Sequence, residues 1–319
     1  MRVLVTGATG LIGSHLTEYL VRQPDVEVYG MRRWRSPSGL VEGATYVDGD
    51  ILDYQSVSAI VATVHPNVVF HLAAQSYTSP SFSAPRATWD VNAIGTVNLL
   101  EALRLSSPKP DMCVVASSAA AYGEQEVFPT PEEAPFRPVS PYGVTKAAQD
   151  LLGFQYYRAY GVPIVRTRSY IHVGTRQGLQ NAVQAFTHQI ALAEAGGIPP
   201  ALRVGNLETR RDFTDIRDVV RAFWLLAQKG KPGEAYNVCT GEARRIGDVL
   251  TTLLGLSRIP LNVEVDPSRL RTTDPAIEVG LNERLRDTTG WRPEIPFADT
   301  LAWILNWRRD MTEDHATRQ

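Results

Sequence analysis

Tyr142 and Lys146 stand four residues apart in Ser140-Pro141-Tyr142-Gly143-Val144-Thr145-Lys146, at the start of a segment with helical periodicity. Side chains at i and i+4 share one face of a helix, so a phenol and an ammonium would project together. A free phenol titrates near about pH 10, too high for efficient proton exchange at neutrality, and an adjacent ammonium favours the phenolate. On its own the pair is equally a feature of an ordinary exposed helix. Upstream, the apolar run at 112–117 ends in Ser117-Ser118 and is followed by Tyr122-Gly123. A hydroxyl at the carboxyl end of a central strand lies where open α/β sheets bind ligands. Ser118 is therefore placed to hydrogen-bond a reacting carbonyl or alkoxide, and the three residues together suit proton transfer at an oxygen.

A second group is built for phosphate. Thr6-Gly7-Ala8-Thr9-Gly10-Leu11-Ile12-Gly13 spaces its glycines as GxxGxxG between an apolar run and an amphipathic one. Glycines permit a tight turn, let backbone N–H groups approach a pyrophosphate and let the helix pack closely on the strand; the helix N-terminus then favours the anion. A tight turn without a ligand is the plainer alternative. The next apolar run ends in Arg32-Arg33-Trp34-Arg35, where NAD-specific sites usually carry a carboxylate for the ribose hydroxyls. Guanidiniums there suit a 2′-phosphate, or they form a solvated basic loop. NADP is the expected cofactor, with NAD as the alternative.

The elements that must position these residues alternate regularly. Strands are expected at 2–6, 26–31, 44–47, 68–71, 112–117 and 163–168, and helices at 11–22, 54–64, 86–105 and 142–160. Such alternation predicts an α/β fold, a Rossmann-type doubly wound parallel sheet with helices on both faces. Beyond about residue 170 the units shorten: helices at 182–194, 215–229, 246–254 and 297–308, and strands at 235–239 and 261–265. This predicts a dinucleotide-binding domain over 1–170 and a smaller mixed α/β lobe over 171–319, with the chain crossing back between them.

Composition closes off other classes. The 319 residues are 44% hydrophobic and 21% charged, in the globular range, and 32 basic against 34 acidic residues leave a net charge of −2. No global field steers such a chain onto nucleic acid or an anionic membrane. No run approaches the roughly 18 apolar residues that span a bilayer, and Met1-Arg2-Val3-Leu4-Val5 is too short for a signal-peptide core, so a cytoplasmic location is expected. Cys113 and Cys239 are the only cysteines; each falls in an expected strand, which suits two reduced core thiols and no metal site.

The motifs together resemble the extended short-chain dehydrogenase/reductase superfamily, whose members largely act on nucleotide-linked sugars. They are TGATGLIG at 6–13, Gly49-Asp50-Ile51, HLAAQ at 71–75, VNAIGT at 91–96, Ser117-Ser118 with Tyr122-Gly123, and SPYGVTK at 140–146. The resemblance implies that Gly7, Thr9, Gly10, Leu11, Ile12 and Gly13 cradle the dinucleotide, and that Arg32 and Arg33 meet its ribose. It further implies that Asp50 and Ile51 lie beside the adenine, that Leu72, Ala73 and Ala74 line the cofactor, and that Gln75 meets substrate. Ser118, Tyr142 and Lys146 would be the catalytic triad, with Tyr142 and Lys146 also touching the cofactor. In the second half, Arg211-Asp212-Phe213, Tyr236-Asn237-Val238, Arg269-Leu270-Arg271 and Thr289-Gly290-Trp291 are similar to the GDP-mannose 4,6-dehydratase and GDP-4-keto-6-deoxymannose reductase branch. There Arg211 and Arg271 match positions that contact a nucleotide diphosphate, a natural target for guanidinium. A homodimer through the helices at 86–105 and 142–160 is implied by the same resemblance.

Two departures shape the expected reaction. The dehydratases carry a Glu two residues after the Ser/Thr, where it removes and returns protons during loss of water; here that position is Ala120. Ile171 replaces the Asn of the Arg-Ser-Phe-Asn-His segment, and Gly174-Thr175 replaces Gly-Pro. The expected activity is thus NADPH-dependent reduction of a GDP-4-keto-6-deoxyhexose. A nucleotide-sugar epimerase with retained cofactor is the runner-up; a dehydratase, in which Glu124 or Glu126 stands in for the missing base, and a non-catalytic NADP-binding protein follow.

Overall fold

Seven parallel strands form the main sheet, in the order Ala235–Val238, β6 (Ile164–Ser169), β5 (Met112–Ser118), β4 (Val68–His71), β1 (Arg2–Thr6), β2 (Glu27–Arg32) and β3 (Thr45–Asp48). The computed structural model describes residues 1–33, 40–270 and 275–317; Arg35 and Arg271 lie outside them. The chain runs outward from β1 to β3 and then returns to the other side of β1 at β4. That reversal opens a crevice at the carboxyl ends of β1 and β4.

Both faces of the sheet are covered, which is why its strands read as continuous apolar runs. Val3, Val5, Phe70 and Val114 face a core shared with α1 (Leu11–Leu20) and the helix Ile216–Lys229. Their chain neighbours Leu4, Val69, Cys113 and Val115 face the opposite core, under α2 (Tyr54–Val64) and the helix Gly95–Leu105. Each such burial stabilises by about 1.5–3 kcal/mol. Both cysteines are free and buried.

The second half of the chain re-enters this architecture. Ala235–Val238 pairs in parallel with β6 as the sheet's edge strand. The buried cluster of Arg166, Arg168 and Asp150, with Arg168 also donating to the Tyr122 hydroxyl and Tyr122 to Asn237 Oδ1 at 2.8 Å, ties that edge to the helix Pro141–Tyr160. The helix Ile216–Lys229, Leu285 and Trp291 join the first core, and the rest packs a separate core around Val173, Val183, Phe213, Leu250 and Leu301.

One expected helix differs. Over 86–105 the structure has a helix Pro85–Trp89, a π-helical turn Asp90–Ile94 and a helix Gly95–Leu105. Wide turns of this kind insert a residue into the ladder, and here the insertion carries Asn92. Its amide donates to Gln75 O and Thr145 Oγ1 and accepts from Gln75 N–H. Gly95 then passes so close to Ile51 that a Cβ would fall 2.9 Å from Ile51 Cγ1.

Candidate functional site

The glycine loop closes the crevice beside β1. Gly7 has φ +68°, and a Cβ there would lie 2.8 Å from the Ala73 nitrogen; a Cβ on Gly13 would lie 2.1 Å from Gly7 O. The first demands left-handed backbone and the second leaves no room for any side chain. Gly10 caps α1 without a side-chain hydrogen bond, and the first turn holds no acidic residue. The N-terminal N–H groups of α1, including those of Leu11 and Ile12, thus face an exposed Gly10 and a half-buried Thr9, a geometry that favours a phosphate. These features fit a dinucleotide.

Beneath the loop, a chain of polar groups holds the β4 end in register. Thr6 Oγ1 accepts from the Leu72 and Ala73 N–H groups at 3.1 and 3.2 Å and contacts His71 Nδ1 at 2.9 Å. Its own proton must therefore go to Nδ1, which leaves His71 Nε2–H to donate to Thr96 Oγ1 at 2.9 Å. Burial, with the Lys146 charge second, lowers His71 to about 3, so it serves as a neutral spacer. Sequence reading missed this group; a histidine ending an apolar strand was its only signal.

The helix Pro141–Tyr160 presents Tyr142 and Lys146. Ser140 caps it by accepting from Gly143 N–H at 3.0 Å, and Pro141 occupies the first turn. Lys146 is buried; its Nζ donates to Ala116 O at 2.9 Å and lies 5.8 Å from the centre of the Tyr142 ring. Ser117 Oγ donates to Lys146 O at 2.9 Å, stitching the end of β5 to the helix. Ser118 adjoins at the end of β5, its hydroxyl accepting from Ala120 N–H at 3.1 Å. Burial pushes the Tyr142 phenol up to about 12, against the pull of the Ser118 hydrogen bond, and the charge of Glu278 pushes the same way. Burial lowers Lys146 to about 7. Desolvation thus dominates both groups and moves the phenol opposite to the lowering expected from an adjacent ammonium.

Other expected residues are placed as follows. Arg32 ends β2, but its Nε donates to Asp48 Oδ1 at 3.0 Å and its guanidinium lies over Tyr46; Arg33 is exposed. Ile51 is buried and Asp50 is exposed, its carboxylate accepting from Leu52 N–H. Leu72, Ala73 and Ala74 are half-buried along the crevice. Gln75 spends its amide internally, on Tyr77 N–H, Tyr77 O and Thr88 Oγ1, which makes it a brace for this turn. Arg211 is buried on the short strand Arg210–Arg211, with Nε 3.5 Å from Glu278 Oε2. Ile171 packs against the core of the lobe. Ala120 sits in the turn Ala119–Ala121 after Ser118, while Glu124 and Glu126 are exposed and Glu126 pairs with Arg137.

The chain is similar to known proteins along most of its length. A family model described as GDP-mannose 4,6 dehydratase matches residues 4–303. The GDP-6-deoxy-D-mannose reductase of Pseudomonas aeruginosa is 31% identical over 316 residues, 98% of this chain and 99% of that protein. Among solved structures, RMD from Pseudomonas aeruginosa complexed with NADPH superposes with a TM-score of 0.86 at 30% identity, covering 97% of this chain and 99% of that one. UDP-glucose 4-epimerase of Thermotoga maritima with UDP-glucose reaches 0.88 at 27% identity, covering 98% and 100%.

Proposed function

Since the chain belongs to the GDP-mannose 4,6-dehydratase family, we propose that it is a nucleotide-sugar oxidoreductase that reduces a GDP-4-keto-6-deoxyhexose with NADPH. One observation carries the choice of reductase over dehydratase. Ser118 ends β5 beside the helix that carries Tyr142 and Lys146, with Lys146 Nζ 5.8 Å from the Tyr142 ring centre, whereas the adjoining turn offers Ala120 where elimination needs a carboxylate, and Glu124 and Glu126 face solvent. The full-length similarity to a GDP-6-deoxy-D-mannose reductase supports the same choice.

When bound, the reduced nicotinamide would supply the hydride that this reduction needs. Ser118 donates a hydrogen bond to the ketone oxygen, and Tyr142 gives its phenolic proton to the oxygen as it becomes an alcohol. Lys146, through its ammonium, would stabilise the phenolate left behind and would hold the cofactor ribose. A ketone, one hydride and one proton thus give one alcohol. A phenol held at about 12 keeps its proton until charge develops on the substrate oxygen. The glycine loop would hold the pyrophosphate, Arg32 and Arg33 the 2′-phosphate, and Arg211 with Arg271 the substrate diphosphate.

The sheet half, including the returning strand 235–238, would carry the dinucleotide and the remaining lobe the sugar. The helices flanking the site expose Trp89, Ile94, Leu105, Val144, Leu151 and Phe154, and this apolar surface supports a homodimer; light scattering at micromolar concentration should give twice the chain mass, and a monomer would refute it. Among the described residues no helix is long and apolar enough to cross a membrane. Two free buried thiols and a reducing cofactor support a cytoplasmic site.

The test supplies pure protein with GDP-4-keto-6-deoxymannose and NADPH, and separately with GDP-mannose and NADP. Stoichiometric NADPH oxidation with formation of a GDP-6-deoxyhexose is expected in the first. A product lighter by one water in the second would overturn the reductase reading, and isomerisation without NADPH loss would favour the epimerase.

A further inference from the structure

One partly buried carboxylate, Glu278, is not used by the reaction above. Glu278 lies on the two-residue strand Ile277–Glu278, paired in parallel with Arg210–Arg211 so that Glu278 stands opposite Arg211. Its backbone is fixed on both sides: Glu278 O accepts from Asp212 N–H at 2.9 Å, and the next carbonyl, Val279 O, accepts from Thr130 N–H at 2.9 Å. The side chain is about one-third exposed, at 31%, and meets the nearly buried Arg211 guanidinium at 3.5 Å.

Its neighbours locate it against the triad. Gly280, two residues on, supports the Tyr170 ring so closely that a Cβ there would fall 2.4 Å from Tyr170 Cε2. Tyr170 follows Ser169, and Ser169 is the register partner of Ser118 across β5 and β6. The charge of Glu278 is felt by both the Tyr142 and Tyr170 phenols, which it raises. A partly buried carboxylate paired with Arg211, which on the reading above holds the diphosphate, matches the hydroxyls of the sugar ring: hydroxyls donate, and a carboxylate only accepts.

We propose that Glu278 is a specificity-determining residue, accepting hydrogen bonds from the ring hydroxyls beside the reacting carbonyl of a nucleotide sugar and, through its pairing with Arg211, setting the spacing between ring and diphosphate. This rests on the nucleotide-sugar reading. It assigns Glu278 to binding the ring, and it gives the lobe a way to tell a hydroxylated sugar from the bare nucleotide. Loss of a hydrogen bond to a charged group weakens binding by roughly tenfold or more.

Calorimetry separates the contributions. GDP and GDP-6-deoxymannose are titrated into wild type, Glu278→Gln and Glu278→Leu, with NADPH binding and thermal melting measured on each. Wild type should favour the sugar nucleotide over GDP. Glu278→Leu should lose that preference by roughly tenfold, with affinity for GDP-6-deoxymannose falling far more than affinity for GDP and NADPH affinity within about twofold, and Glu278→Gln, which keeps an acceptor, should recover part of it. In turnover the Leu change should raise KM with kcat held within about threefold. Equal losses for GDP and GDP-6-deoxymannose would mean that Glu278 acts only by holding Arg211 or the fold, and would overturn the proposal, as would an unchanged preference. Failure of wild type to bind either nucleotide while binding NADPH would refute the nucleotide-sugar reading itself, and the inference with it.

Discussion

Replacing Lys146 by Met should make the protein more stable and less active. Lys146 is buried, and desolvation lowers its ammonium from the usual 10.5 to about 7. Between those values the unfolded chain binds more protons than the folded one, so this group's contribution to stability rises with pH across the window and is at its most unfavourable below it. At about 1.4 kcal/mol per pH unit, the folded state carries a cost of about 4 kcal/mol at pH 7 and about 2 kcal/mol at pH 9. Methionine fills a similar volume without a charge, but the Ala116 carbonyl loses its donor at 2.9 Å, which costs about 1–2 kcal/mol. The variant should therefore gain roughly 2–3 kcal/mol at pH 7 and almost nothing at pH 9. Urea unfolding followed by tryptophan fluorescence at both pH values measures this, because the difference between variant and wild type cancels every other titrating group. A variant less stable than wild type at pH 7, or a difference independent of pH, would refute the reasoning. Turnover with NADPH should fall in the same variant, since stability at this position is traded for a charge near Tyr142.

Other perturbations test neighbouring parts of the site. Tyr142→Phe removes only the proton-carrying oxygen and should cut turnover by roughly 10²–10⁴-fold with an unchanged melting temperature; near-normal turnover would exclude Tyr142 as proton donor. Gly13→Ala places a methyl 2.1 Å from Gly7 O, so NADPH titration should show lost binding and melting should fall by several degrees, and full binding would contradict the close-packed loop. Replacing Arg32 and Arg33 by Ala should reduce the preference for NADPH over NADH by roughly tenfold in fluorescence titrations at fixed salt, whereas an unchanged ratio would remove them as 2′-phosphate contacts.

Much of the positioning scaffold was legible locally. Strands at 2–6 and 68–71 and helices at 54–64 and 182–194 match the observed bounds, because each is a clean periodic run; Asp53 and Asn181 supply side-chain caps to the two helices. The glycine spacing, the Tyr–Lys interval and the serine at a strand end are likewise set within a few residues, by backbone sterics and helical repeat. The amino-acid order thus determined by itself that a phosphate loop, a phenol–ammonium pair and a doubly wound sheet would exist.

Tertiary structure decided how they work. Nothing in Ala235–Val238 shows that it pairs with β6, some sixty-six residues earlier by 235 − 169, because pairing is chosen by the open edge it meets. Two-residue strands such as Arg210–Arg211 and Ile277–Glu278 carry no periodicity, so the meeting of Arg211 with Glu278 was invisible. The π-helical turn at Asp90–Ile94 brings Asn92 to the Gln75 backbone and the Thr145 hydroxyl, a pairing that no local pattern announces. Above all, the sequence pattern put an ammonium beside a phenol, but only the packed interior determined that desolvation would raise the phenol and lower the ammonium. Spacing is a property of neighbouring residues, whereas desolvation is a property of everything that folds around them.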